Sequence, residues 1–146
     1  MRLSDYESDP AKMANGVWWS YPGNCTVPGN VPHAKDGCFL IVPMIGNEAF
    51  ANAFTAAQTP HLGTLRDKET PEEVAAALRK AIWAKAMSKA VLRGWANWDD
   101  LPPYTEEKAT ELLIDPRWVL ISEFVVRAAN ENRAALLREE EQAKGN

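Results

Sequence analysis

The chain has 146 residues, 46% of them apolar and six of them tryptophan, with a formal net charge of -4. That is one domain's length, with enough apolar mass for a core. The acidic balance argues against a nucleic-acid binder, whose phosphate contacts need a basic surface, and no apolar run reaches the roughly 20 residues that a membrane span requires.

The N-terminus "MRLSDYESDP" is polar and acidic and lacks the apolar region of a secretory signal. Residues 1–15 read as a flexible segment ahead of one domain over 16–146. With Cys25 and Cys38 as the only thiols, the expectation is a cytoplasmic protein with both cysteines reduced.

"GVWWSY" (Gly16 to Tyr21) is aromatic and β-branched and predicts a strand. A Pro/Gly/Asn-rich loop follows over 22–37. "CFLIVPMI" (Cys38 to Ile45) predicts the second strand, with Pro43 marking an edge or an end. The two make an N-terminal β-hairpin within 16–45. Alone it is marginal in water, so it must lie on helices or on a partner.

Beyond Gly46 the patterning is helical. Asn47 is placed to cap "EAFANAFTAAQ", with Phe50 and Phe54 four apart on one face and Pro60 as the stop. Thr70, Pro71, Glu72 and Glu73 form a T-x-x-E start for a helix running to about Arg93, with Gly94 as its left-handed terminator. Val74, Ala77, Leu78, Ala81 and Ile82 share one side of that helix. Trp83, Met87, Ala90 and Val91 lie nearly opposite. Two successive apolar faces imply contact with two different bodies, either within the fold or in another chain. Lys85, Lys89 and Arg93 make a basic stripe that complements the helix dipole.

The elbow "GWANWDDLPPY" leads to Thr105, which restarts a helix with "EEKATELL". Asp115-Pro116 repeats the cap-plus-proline start for a long C-terminal helix running towards Gln142. Its first half carries Trp118, Ile121, Phe124, Val125, Ala128 and Ala129. Its charged second half has only Leu136 and Leu137 as large apolar residues. The fold class is mainly α: a small helical domain with an N-terminal β-hairpin and a long C-terminal helix.

Catalytic and metal signatures are weak. Cys25, His33, Cys38 and His61 are zinc ligands by type, but twelve residues separate the two cysteines and neither histidine has a close partner. Neither thiol sits in a motif that would activate it. The acid pairs Asp99-Asp100 and Glu106-Glu107 lie near helix starts and belong to no calcium loop. No phosphate-binding glycine loop and no cofactor fingerprint occurs. What stands out is aromatic: Trp83, Trp95, Trp98, Tyr104 and Trp118 bracket the elbow, and Trp and Tyr are common interface anchors.

The ordered set "GVWWSY", "CFLIVPMIGNEAFANAF", "SKAVLRGWANW", "PYTEEKATELLIDPRW" and "EFVVRAANENRAALLREEEQAKGN" resembles the tail assembly chaperones of long-tailed bacteriophages, over most of the chain from Gly16 onward. The resemblance implies a small, non-enzymatic, mainly helical protein of the host bacterial cytoplasm. Such a protein binds the tape-measure protein, and in some cases the tail tube protein, and leaves before the tail is complete. The expected partner surface is Trp83, Met87 and Val91 on the two-faced helix, Trp95, Trp98 and Tyr104 at the elbow, and Leu136 and Leu137 in the tail. Self-association is expected; nucleic acid, membrane and cofactors are not. The alternative is a head-tail joining or tail-terminator subunit retained in the virion.

Overall fold

The computed structural model describes residues 15–21, 26–27 and 37–131. Cys25, His33, Leu136, Leu137, the expected flexible segment up to residue 14 and the end of the expected C-terminal helix lie outside them.

The hairpin forms as expected. Strand β1 (Val17–Ser20) pairs antiparallel with β3 (Cys38–Ile41), Val17 opposite Ile41 and Ser20 opposite Cys38. Two further strands extend it. Thr26–Val27 (β2) pairs with β1, and Leu92–Ala96 (β4) pairs with β3, giving the order β2-β1-β3-β4. The alternation along β1 buries Val17 and Trp19 and turns Trp18 to the other face.

Helix α1 (Glu48–Gln58) begins at Asn47, whose Oδ1 accepts from the Phe50 amide at 3.0 Å. Phe50 and Phe54 stack one turn apart, 6.1 Å between rings. Pro60 does not stop the chain's helical course. It opens a 3-10 turn, Thr59–His61, which passes into the short helix α2, Leu62–Arg66. A proline lacks only an N–H and is accommodated in the first turn of a new segment.

Helix α3 spans Glu72–Ala90, and both of its expected ends are corrected. The T-x-x-E capping box does not form: the Thr70 hydroxyl donates to the Thr64 carbonyl at 2.8 Å, and Pro71 occupies the cap position. At the other end Gly94 is no terminator. It lies inside β4, and its φ is not positive. The last helical carbonyls are satisfied from a distance instead. Arg93 Nη1 donates to the Lys89 carbonyl at 2.9 Å, Tyr104 Oη to that of Ser88 at 3.0 Å, and Asn47 Nδ2 to that of Ala90 at 3.0 Å. With those acceptors occupied, the chain needs no left-handed residue and passes directly into a strand.

The two expected apolar faces of α3 are covered by this chain only in part: Ile82, Met87, Ala90 and Val91 are buried, whereas Val74 and Ala77 are exposed and Leu78, Ala81 and Trp83 are half-buried. The helix packs along α1, whose capping Asn47 sits at the Ala90 carbonyl. Its second half lies beneath the sheet and beside helix α4 (Glu106–Ile114), with Ala84, Ala86 and Ala90 small enough to allow close approach. Helix α4 starts at Thr105, whose hydroxyl accepts from the Lys108 amide at 3.1 Å. Ser88 and Thr110 join α3 to α4 through a hydroxyl pair at 2.6 Å. Asp115 then caps a 3-10 turn, Pro116–Trp118, accepting from the Arg117 amide at 3.0 Å. Helix α5 follows, described over 119–131. Phe124, Val125, Ala128 and Ala129 of α5 enter the core with Val17, Trp19, Phe39, Ile41, Met87, Val91, Leu92 and Leu113. The fold is mainly helical with an N-terminal hairpin, and the hairpin is half of a sheet that closes one side of the core.

Candidate functional site

The elbow between β4 and α4 is fixed by its rings. Asn97 takes a left-handed φ of 66°, a conformation that asparagine tolerates better than other non-glycine residues, and so swings Trp98 back across the sheet. The Trp98 ring rests 5.2 Å from that of Phe39 and 6.1 Å from that of Tyr21, and its Nε1 donates to the Cys38 carbonyl at 3.2 Å. Gly37 lies directly beneath it: a Cβ there would come within 2.6 Å of the indole. Trp95 Nε1 donates to the Pro102 carbonyl at 2.7 Å, and its ring meets Tyr104 edge-on at 5.0 Å.

These rings open onto a cleft of about 420 Å³. Trp95, Trp98, Leu101 and Pro102 line one side, Trp118 and Ile121 another, with Phe39 and Leu112 also in contact. Charged residues border it. Arg117 makes a forked contact with Asp115, Nη2 to Oδ2 at 2.7 Å and Nε to Oδ1 at 3.2 Å. The Arg117 hydrogen bonds, side-chain first and backbone second, hold the Asp115 carboxyl below its ordinary range. The guanidinium also lies 5.7 Å over the Trp118 ring. Lys108 pairs with Glu111 at 3.6 Å, and Asp100 completes the rim.

A second, shallower groove of about 300 Å³ lies between α3 and α5, lined by Trp83, Val119, Ser122, Glu123, Val126 and Arg127. Beside it Trp118, Val119 and Leu120 are 38%, 51% and 66% exposed. Three consecutive large apolar side chains therefore face solvent at the start of α5. The half-buried Trp83 ring makes the opposite wall of the groove.

The expected partner residues fall into separate groups. Met87 and Val91 are 0% exposed and belong to the core, which removes them from any surface. Their face was available to a partner only if the sheet did not cover it, and β3 and β4 do. Trp83 lies in the α3–α5 groove, whereas Trp95 and Trp98 line the elbow cleft. Tyr104 is a strut: its hydroxyl donates to the carbonyls of Ser88 and Leu92, at 3.0 and 2.6 Å, so it fixes the elbow's shape. Leu136 and Leu137 are outside the described residues. Sequence reasoning missed Val119 and Leu120. The signal was present in "RWVLI": four consecutive large apolar residues at a helix start exceed the width of one buried stripe.

Among the described residues, no three His, Cys, Asp or Glu side chains gather as a metal site, and no helix is long and apolar enough to cross a membrane. Residues 45–146 match the model of a family described as YdaY prophage protein. No curated protein and no solved structure matches the chain.

Proposed function

Because this chain belongs to the YdaY prophage protein family through residues 45–146, we propose that it serves phage particle assembly as a tail assembly chaperone. On this reading it holds the tape-measure protein, and the tail tube protein where that is a client, in soluble form in the host bacterial cytoplasm. The observation that carries the reading is the exposed strip Trp118-Val119-Leu120 beside the groove walled by Trp83. A tape-measure chain presents long amphipathic helices before it is enclosed, and an apolar helix face seats in an apolar groove through side chains three and four residues apart. Full burial of Val119 or Leu120 contributes about 1.5–3 kcal/mol each. A strip this small therefore gives a contact that forms and is later given up, as a transient holder requires. The same strip is the surface through which copies of the chain would associate in the absence of a client.

Co-expression with the tape-measure protein of the same prophage tests the reading. The wild-type chain is expected to keep the client in the soluble fraction and to co-purify with it. A folded Val119→Ser/Leu120→Ser double variant is expected to lose at least tenfold in affinity, about 1.4 kcal/mol or more. Undiminished client binding by that variant overturns the assigned surface. Stoichiometric recovery of the protein in purified mature particles overturns the chaperone role in favour of a retained head-tail joining or tail-terminator component.

A further inference from the structure

The elbow cleft shares Trp118 with the exposed strip at the start of α5, but its chemistry differs. We infer that it seats one cationic side chain, arginine or lysine, from a partner polypeptide. The inference relies on the proposed function only for the source of that side chain.

The geometry points to a cation in three ways. The indole N–H groups of Trp95 and Trp98 are engaged by the carbonyls of Pro102 and Cys38, so these rings have carbon and π surface left to offer. An aromatic face carries negative potential and attracts an ammonium or a guanidinium within about 6 Å. Next, the charge of the lining is unbalanced: three carboxylates, Asp100, Glu111 and Asp115, stand against two cations, Lys108 and Arg117. Both cations are already paired, Lys108 with Glu111 and Arg117 with Asp115. Asp100 has no ion pair among the described residues, so the residual charge facing a ligand is negative. Finally, the cleft already holds a guanidinium against one of its indoles, that of Arg117 over Trp118.

Shape agrees with charge. At about 420 Å³ the cleft falls within the roughly 300–1,000 Å³ of small-ligand pockets. Phe39, Leu101, Leu112 and Ile121 line it alongside the tryptophans, and the aliphatic stem of an arginine or lysine packs on such apolar surface while its head stays at the polar rim. An anion finds no unpaired cation in the lining. A neutral apolar side chain would occupy the rings but gain nothing from Asp100.

The test is titration of the full-length protein with N-acetyl-arginine methylamide, followed by the indole N–H resonances in NMR. N-acetyl-norleucine methylamide serves as the uncharged control. The arginine compound is expected to shift the Trp95, Trp98 and Trp118 signals saturably, and more weakly as salt is raised. Asp100→Asn, at an exposed turn, is expected to weaken that binding about 5-fold, the size of one solvent-exposed ionic or cation–π contact. An equal response to the norleucine compound, or wild-type affinity in Asp100→Asn, overturns the inference. Saturable arginine binding by a chain that fails to hold the tape-measure protein leaves the cleft assignment standing and removes the assembly role. Client binding without any indole response does the reverse.

Discussion

Tyr104 shows how much one side chain settles at the elbow. Its hydroxyl reaches two carbonyls, those of Ser88 in α3 and Leu92 in β4, and its ring meets Trp95. Tyr104→Phe keeps the ring and removes the O–H, leaving part-buried acceptors under-satisfied. We expect a loss of about 1–2 kcal/mol in urea unfolding. Burial, the largest cause, raises the Tyr104 pKa above 10.0; Arg93 opposes this, and Glu106 and Glu107 add to it. The folded state thus favours the neutral phenol. The associated stability is fully present below the ordinary tyrosine range and is lost as pH rises through the higher folded value. Absorbance titration at alkaline pH is expected to show a late-ionising tyrosine, absent in Tyr104→Phe, whose ionisation coincides with loss of near-UV dichroism. Asp115 has the opposite sign: its lowered pKa gives a small, exposed contribution that is present above the usual carboxylate range and lost in acid.

Helix and strand ends divide into those visible in the sequence and those not. Asn47, Thr105 and Asp115 were legible because each caps with its own side chain onto an amide two or three residues away. Thr70 and Gly94 misled because the groups that decide those ends are remote. Thr70 turns back to Thr64, while Asn47 and Tyr104 supply the donors that finish α3. The two glycines of the site now make opposite predictions. At Gly94 an added Cβ meets Leu40 at 3.4 Å and Trp18 at 3.6 Å, ordinary contacts. Gly94→Ala is therefore expected to change stability by no more than about 0.5 kcal/mol, whereas a left-handed helix terminator would lose more, since its φ suits glycine. Gly37→Ala pushes a methyl into the Trp98 indole and is expected to cost about 1–3 kcal/mol and to alter the near-UV spectrum. Thermal melts of the two variants side by side decide the matter.

At the scale of the molecule, the family match begins at Ile45, just beyond β3, yet the core does not. Val17, Trp19, Phe39 and Ile41 interleave with Met87, Val91, Leu92 and Phe124. Of the second apolar face of α3, Met87 and Val91 are covered by this chain, while Trp83 stays half-buried in the α3–α5 groove. The covering element is 50 residues away in sequence, and periodicity carries no information about which distant strand arrives. It follows that a fragment of residues 45–146 lacks the strand that flanks β4 and the lid of its core. We expect it to keep helical far-UV dichroism, to lose near-UV dichroism and to melt without a cooperative transition, whereas the full chain unfolds in one step. A sharp transition in the fragment would show that the hairpin is dispensable.

The hydrogen bond from Trp98 to the Cys38 carbonyl crosses from the elbow to the strand that the hairpin contributes. One wall of the cleft is thus borrowed from a segment sixty residues upstream, and the cavity exists only while that segment is docked. Filling the cavity and seating the hairpin are consequently linked equilibria. Any cargo bound against Trp98 should slow amide exchange in Cys38–Ile41, and a fault in the hairpin should surface first as weakened capture rather than as unfolding.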